Sequence, residues 1–93
     1  MFMRNIRQIA EAYASKAGYD SVRPAGIKDG FSYFHAYNKA NQGHKTGLPH
    51  IVKINEMGQL AVVNNLKERM WAVKEEVKLL QQLWYFLKQI FVE

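Results

Sequence analysis

The sequence contains no cysteine and only two prolines among its 93 residues. Without cysteine the chain cannot form disulfides, a thiolate zinc site or a cysteine nucleophile. This absence is typical of proteins from reducing compartments. The first residues, Met-Phe-Met-Arg followed by Asn, also lack the apolar run of a signal peptide. We therefore expect a cytoplasmic protein.

Long hydrophobic runs are missing as well. A membrane-spanning helix needs about 20 consecutive apolar residues, whereas the most apolar stretch begins at Leu83 and is interrupted by Lys88 and Gln89. We expect no membrane partner. The 48% apolar and 13% aromatic content still suffices for a packed core, and the length predicts a single domain over residues 1–93.

Acidic residues are scarce in the first part of the chain. Residues 1–55 carry eight Lys/Arg and three Asp/Glu, whereas residues 56–93 carry five of each sign. The net charge of +5 therefore belongs entirely to residues 1–55. A basic region of this kind favours an anionic partner, with nucleic acid as the leading candidate.

Residues 66–91 carry the clearest pattern in the chain. Apolar residues recur there at alternating steps of four and three, which predicts a long amphipathic helix or a coiled-coil seam. This heptad seam consists of Leu66, Met70, Val73, Val77, Leu80, Trp84, Leu87 and Phe91. Glu68 and Glu75 lie on the opposite side, which we expect to face solvent. A second apolar row begins at Ala72, is broken by Glu76, and continues as Leu79, Leu83, Phe86 and Ile90.

The length of this helix predicts that part of it is left uncovered by the rest of the chain. A helix of this extent is roughly 39 Å long, whereas a strand of six residues spans roughly 20 Å. Exposed apolar patches of this size are rare in soluble monomers, so we expect a homodimer. The predicted interface consists of Val77, Leu80, Leu83, Trp84, Leu87, Ile90 and Phe91. The alternative is that the N-terminal helix folds back over this end.

The remaining sequence predicts an α+β fold with an antiparallel sheet of three or four strands. Helical spacing covers residues 4–17 and stops at Gly18. Strands are predicted at residues 31–37, 50–55 and 59–63, with an optional edge strand at 21–28. Asp29-Gly30 is a strong hairpin turn, and residues 38–48 form the only long polar loop. The order is a short N-terminal helix, the strands, and the long C-terminal helix.

Three histidines, His35, His44 and His50, are the first candidates for chemistry, and their positions on the predicted strands and the loop between them lead us to expect that they meet. A metal site would add a carboxylate or thiolate, or place two histidines four apart on a helix. Neither pattern is present in the sequence. A catalytic histidine needs an orienting acid or a nucleophile beside it, and only Asp29 and Glu56 are nearby, in turns. We expect no cofactor, no metal and no enzymatic activity, with a small histidine-dependent enzyme as the third alternative.

The best binding pattern combines aromatic and basic side chains on the strands and the long loop. Its members are Tyr33, His35, Tyr37, Lys39, His44, Lys45, His50 and Lys53. Stacking rings beside cations are typical of sites for single-stranded nucleic acid. The alternative is that the tyrosines form the core beneath a helix, with their hydroxyls at its rim.

Together these patterns predict a small non-catalytic binding module. It would self-associate through the C-terminal helix and bind an anionic partner through the basic loop. The runner-up is a protein-interaction module, such as an adaptor or inhibitor, whose partner binds the apolar end of that helix.

Overall fold

The computed structural model describes residues 5–41 and 49–91, with side chains over 5–40 and 49–88. The elements are α1 (Ile6–Ala17), β1 (Ser21–Lys28), β2 (Phe31–Tyr37), a 3₁₀ turn (Lys39–Asn41), β3 (His50–Asn55), β4 (Leu60–Val62) and α2 (Leu66–Phe91). The strands form one antiparallel sheet in the order β1-β2-β3-β4. The fold is therefore α+β, and the optional edge strand is present as β1.

Both helices begin at an asparagine cap. The Asn5 side chain accepts a hydrogen bond from the backbone of Gln8, and the Asn65 side chain accepts one from the backbone of Glu68 at 3.0 Å. Each cap satisfies an amide that has no partner within its own helix. Helix α1 ends at Gly18, whose φ of 95° is the left-handed conformation that glycine adopts without penalty.

The two helices pack on opposite faces of the sheet, because successive side chains of a strand point to opposite sides. One cluster lies under α1 and contains Ala10, Ala14, Val22, Phe34, Ala36, Val52 and Ile54. The other lies under α2 and contains Ala25, Tyr33, Ile51, Val63 and Ala72. Since α1 packs on the far face, it does not cover the C-terminal part of α2. The fold-back alternative is excluded.

Helix α2 runs across the strands rather than along them. It starts beside the end of β4, where Arg69 donates to the carbonyl of Val63, and Trp71 then packs edge-on against Tyr33 of β2. It reaches edge strand β1 at Gly26, where an added Cβ would lie 2.9 Å from the Cβ of Glu75. Gly26 has a φ of 110° and lies at a bulge in the β1–β2 pairing. Beyond this point α2 continues past the edge of the sheet.

The prediction that the Glu68 side of α2 faces solvent is wrong. Glu68, Ala72 and Glu76 lie toward the sheet, and Ala72 and Glu76 are buried. Most of the heptad seam is exposed instead, as shown by Leu66 (58%) and Met70 (46%), whereas Val73 packs against the core under α2. The physical reason is that the sheet offers basic and hydroxyl partners to these carboxylates, so charged residues are buried in pairs.

Candidate functional site

Tyr33 of β2 lies in the core beneath α2 and is only 2% exposed. Its ring packs edge-on against Trp71, and its hydroxyl donates to Oε2 of Glu68 at 2.5 Å. Burial and this hydrogen bond raise the pKa of Tyr33 well above its usual range. The ring therefore has no free face on which a base could stack. Tyr33 instead belongs to the core beneath a helix, which was the alternative prediction for the tyrosines.

Lys53 of β3 shares the carboxylate of Glu68 with Tyr33. Its Nζ donates to Glu68 Oε2 at 2.7 Å and lies 4.7 Å from the centroid of the Phe31 ring. The hydrogen bonds from Lys53 and Tyr33 hold the pKa of Glu68 below its usual range. The charge of Lys53 is therefore neutralised within the molecule.

His35 and Tyr37 of β2 belong to a second network, centred on Glu76 of α2. The carboxylate of Glu76 is 7% exposed and accepts a hydrogen bond from Nδ1 of His35 at 2.8 Å. Arg23 of β1 lies 3.6 Å from its other oxygen. The Arg23 guanidinium also donates to the Tyr37 hydroxyl at 3.1 Å and stacks over the Tyr37 ring. This network joins α2 to the edge strand β1 and to its neighbour β2.

His50 lies on the opposite face of the sheet from His35. Its Nε2 is in hydrogen-bond contact with the Tyr13 hydroxyl at 2.7 Å, and its ring stacks on Tyr13 and Tyr19. Burial lowers the pKa of His50, with smaller contributions from Arg69 and His35. The expectation that the histidines meet is therefore wrong for this pair.

Among the members of the predicted binding set that the structure describes, Lys39 is the exposed one. It lies in the 3₁₀ turn after β2, where its backbone donates to Asp20 at 3.1 Å. His44 and Lys45, predicted beside it in the basic loop, lie outside the described residues. Of the predicted set, the structure brings Tyr33 and Lys53 together at Glu68, His35 and Tyr37 together around Arg23, and places His50 apart.

The C-terminal half of α2 exposes a broad apolar surface. Every residue from 77 to 88 is exposed, and Trp84 is 68% accessible. The side chains that form this free apolar surface are Val77, Leu79, Leu80, Leu83, Trp84, Phe86 and Leu87. Ile90 and Phe91 belong to the same helix, but their side chains lie outside the described set. This surface contains the predicted interface residues whose side chains are described.

Three charged residues that organise the site were missed by the sequence prediction: Arg23, Glu68 and Glu76. Glu68 was assigned to the solvent face, and Glu76 was noted only as a break in the second apolar row. That break was the available signal, because a carboxylate in the middle of a packing row needs a basic partner on the facing element.

No cluster of metal-ligating side chains is found within residues 5–41 and 49–91. Over the same ranges, neither helix has the length and hydropathy needed to cross a bilayer. No protein-family model, curated protein or solved structure matches this chain.

Proposed function

We propose that the protein is a small non-catalytic binding module that pairs with a second copy of itself through the free apolar surface of α2. The observation that supports this is the continuous run of exposed side chains from residue 77 to residue 88, including Trp84 and Phe86. Soluble monomers rarely expose apolar surface of this extent.

A second copy suits this surface because the heptad spacing is self-complementary. Identical helices can interlock their a and d side chains without any further sequence information. At about 100° per residue, the free apolar surface covers roughly half of the helix circumference, and the one charged residue at its border is Lys88. Pairing through this surface therefore buries no like charges at its centre.

The β1 edge of the sheet is a poorer place for two copies to meet. Edge strand β1 contains Pro24, which has no N–H to offer a neighbouring strand, and a bulge that follows it. The carbonyl of Val22 in the same strand already accepts from Arg7 at 3.4 Å. These features leave α2 as the better interface.

The proposed dimer binds an anionic partner, with nucleic acid as the leading candidate, through the basic loop at residues 38–48. Exposed Lys39 begins this loop, and His44 and Lys45 follow it in the sequence. Such binding weakens steeply with salt and is lost in Lys39→Glu and Lys45→Glu. The absence of cysteine and the excess of cations fit a cytoplasmic protein of this kind.

Sedimentation equilibrium tests the proposed pairing of two copies. The test compares substitutions at two neighbouring aromatic residues of α2. Trp84 belongs to the free apolar surface, whereas Tyr85 is 64% exposed on the other side of the helix. We expect the wild type and Tyr85→Glu to sediment as dimers and Trp84→Glu to sediment as a soluble monomer. A monomeric wild type would overturn self-association. It would favour the second candidate, a module whose apolar helix binds a different protein.

A further inference from the structure

The acidic side chains of α2 lie toward the sheet and its lysines point outward, although Lys78 also donates to Glu75 at 3.1 Å. Glu68, Glu75 and Glu76 lie toward the sheet, where Glu68 meets Lys53 and Glu76 meets His35 and Arg23. The four lysines of the helix are all exposed: Lys67, Lys74, Lys78 and Lys88. The equal number of charges over residues 56–93 therefore conceals an outward cationic face. We call these four lysines the lysine stripe.

The lysine stripe follows the length of the helix within a narrow arc. At about 100° per residue the four side chains fall within roughly 80° of one another, and at 1.5 Å per residue the stripe is roughly 32 Å long. Met70, Gln81 and Tyr85 also lie in this arc. Among the α2 side chains that the structure describes, none in this arc is acidic.

Three lysines of the stripe point away from the surface that pairs two copies, and the fourth, Lys88, lies at the border of that surface. The centre of the stripe lies about 150° around the helix from the centre of the free apolar surface, at 100° per residue. A second copy seated on the apolar surface therefore leaves Lys67, Lys74 and Lys78 accessible on both helices.

We infer that the lysine stripe binds the phosphodiester backbone of a single-stranded nucleic acid, with Tyr85 as a stacking ring between the cations. This inference rests on the proposed anionic partner and gives it a second site, separate from the loop. Tyr85 is 64% exposed, unlike buried Tyr33, and lies between Lys78 and Lys88 in the sequence. An exposed ring among cations is the combination that holds single strands without sequence preference.

At the N-terminal end of the stripe, the cationic surface extends beyond the helix. Lys67 shares a shallow cavity with Lys28 and Lys53, together with Asp29 and Glu68. Glu68 is already occupied by Lys53. Because Lys53 is paired with Glu68, Lys28 is the cation that extends the stripe from the helix onto the end of β1, beside the carboxylate of Asp29.

Fluorescence anisotropy with a labelled 20-nucleotide oligothymidylate tests the stripe, at NaCl concentrations from 50 to 200 mM. In Lys67→Ala/Lys74→Ala we expect Kd to rise about tenfold and the slope of log Kd against log salt to fall by about 1.4, or 0.7 for each lost phosphate contact. Lys16→Ala, an exposed lysine of α1, is the control and leaves both unchanged. Sedimentation of each variant verifies that it remains in the wild-type assembly.

The other outcomes separate the stripe from the loop. If Lys39→Ala/Lys45→Ala abolishes binding while the stripe variant binds like the wild type, the stripe is overturned and the anionic function of the loop stands. If the wild type does not bind the oligonucleotide even in 50 mM NaCl, nucleic-acid binding by the stripe and nucleic-acid binding by the loop are both overturned. Stripe-dependent binding to vesicles containing phosphatidylserine, without binding to the oligonucleotide, would replace the nucleic acid with a membrane surface.

Discussion

Glu76 of α2 accepts a hydrogen bond from His35 of β2 at 2.8 Å, on a carboxylate that is 7% exposed. Glu76 stands in a helix row that is otherwise apolar, between Ala72 and Leu79. An uncompensated carboxylate at this position would be costly to bury. The contact therefore fixes which turn of α2 lies above β2, and with it the point at which the helix leaves the sheet.

Replacing Glu76 with Gln tests this contact. The amide keeps an acceptor for His35 but loses the charge that faces Arg23, and a charge-assisted hydrogen bond is worth more than a neutral one. We expect the free energy of unfolding, measured by urea denaturation, to fall by about 1–2 kcal/mol. The control variant Glu11→Gln removes an exposed ion pair with Arg7. We expect it to change the free energy of unfolding by less than about 0.5 kcal/mol. Equal effects of the two variants would contradict the role of Glu76.

Glu68 makes stability depend on pH at the acidic end. Its folded-state pKa is lowered by Lys53 and Tyr33, so ionised Glu68 stabilises the fold above its unfolded pKa of about 4.3. That contribution is lost as the pH falls through the lower folded-state pKa. We expect Glu68→Gln to destabilise the protein at pH 7 and the difference from wild type to shrink toward pH 2. Urea denaturation at pH 7 and at pH 2 measures this difference in stability. A difference that is the same at both pH values would argue against the contacts of ionised Glu68 with Lys53 and Tyr33.

His50 makes stability depend on pH nearer neutrality. Its folded-state pKa is lowered mainly by burial, so the unfolded chain takes up the proton first and the fold loses stability as the pH falls below about 6.5. His50→Phe keeps a ring between Tyr13 and Tyr19 and removes the titrating group. We expect the loss of thermal stability from pH 7.5 to 5.5 to be smaller in His50→Phe than in wild type. Parallel pH curves for the two proteins would contradict this.

Helix α2 approaches the sheet closely at Gly26. A Cβ there would lie 2.9 Å from the Glu75 Cβ and 3.2 Å from the Trp71 ring, at a φ of 110°. We expect Gly26→Ala to lower the free energy of unfolding by about 2–4 kcal/mol, from backbone strain and overpacking together. Gly18 has a φ of 95° with open space around it, so Gly18→Ala should cost roughly 1 kcal/mol from strain alone. A smaller loss in Gly26→Ala than in Gly18→Ala would mean that the helix does not lie this close.

Local sequence signals predicted the elements well. Asp29 and Gly30 have φ values of 54° and 81°, the conformation that an Asp-Gly hairpin turn adopts, and this turn places β1 beside β2. Asn65, which directly precedes the first heptad residue Leu66, caps α2 by accepting from the backbone of Glu68. Each of these features depends on residues only a few positions apart in the sequence. The local sequence pattern was therefore sufficient to predict them.

The orientation of α2 on the sheet could not be predicted in the same way. Apolar spacing alone favours the heptad seam as the buried side, whereas the observed side is held by pairs far apart in the sequence, such as Glu76 with His35 and Glu68 with Lys53. The separation of His35 from His50 depends on the β2–β3 register, which pairs His35 with Ile51. The length of the intervening loop does not fix that register.

Amide hydrogen exchange across residues 77–88 is the most direct measurement of whether a second copy covers α2. A helical segment of this length without tertiary contacts is marginally stable in water. If exchange requires dissociation of a dimer, a hundredfold increase in protein concentration should slow it about tenfold by mass action, while the amides of β2 and β3 stay unchanged. Exchange at residues 77–88 that is the same at both concentrations would contradict the proposed pairing.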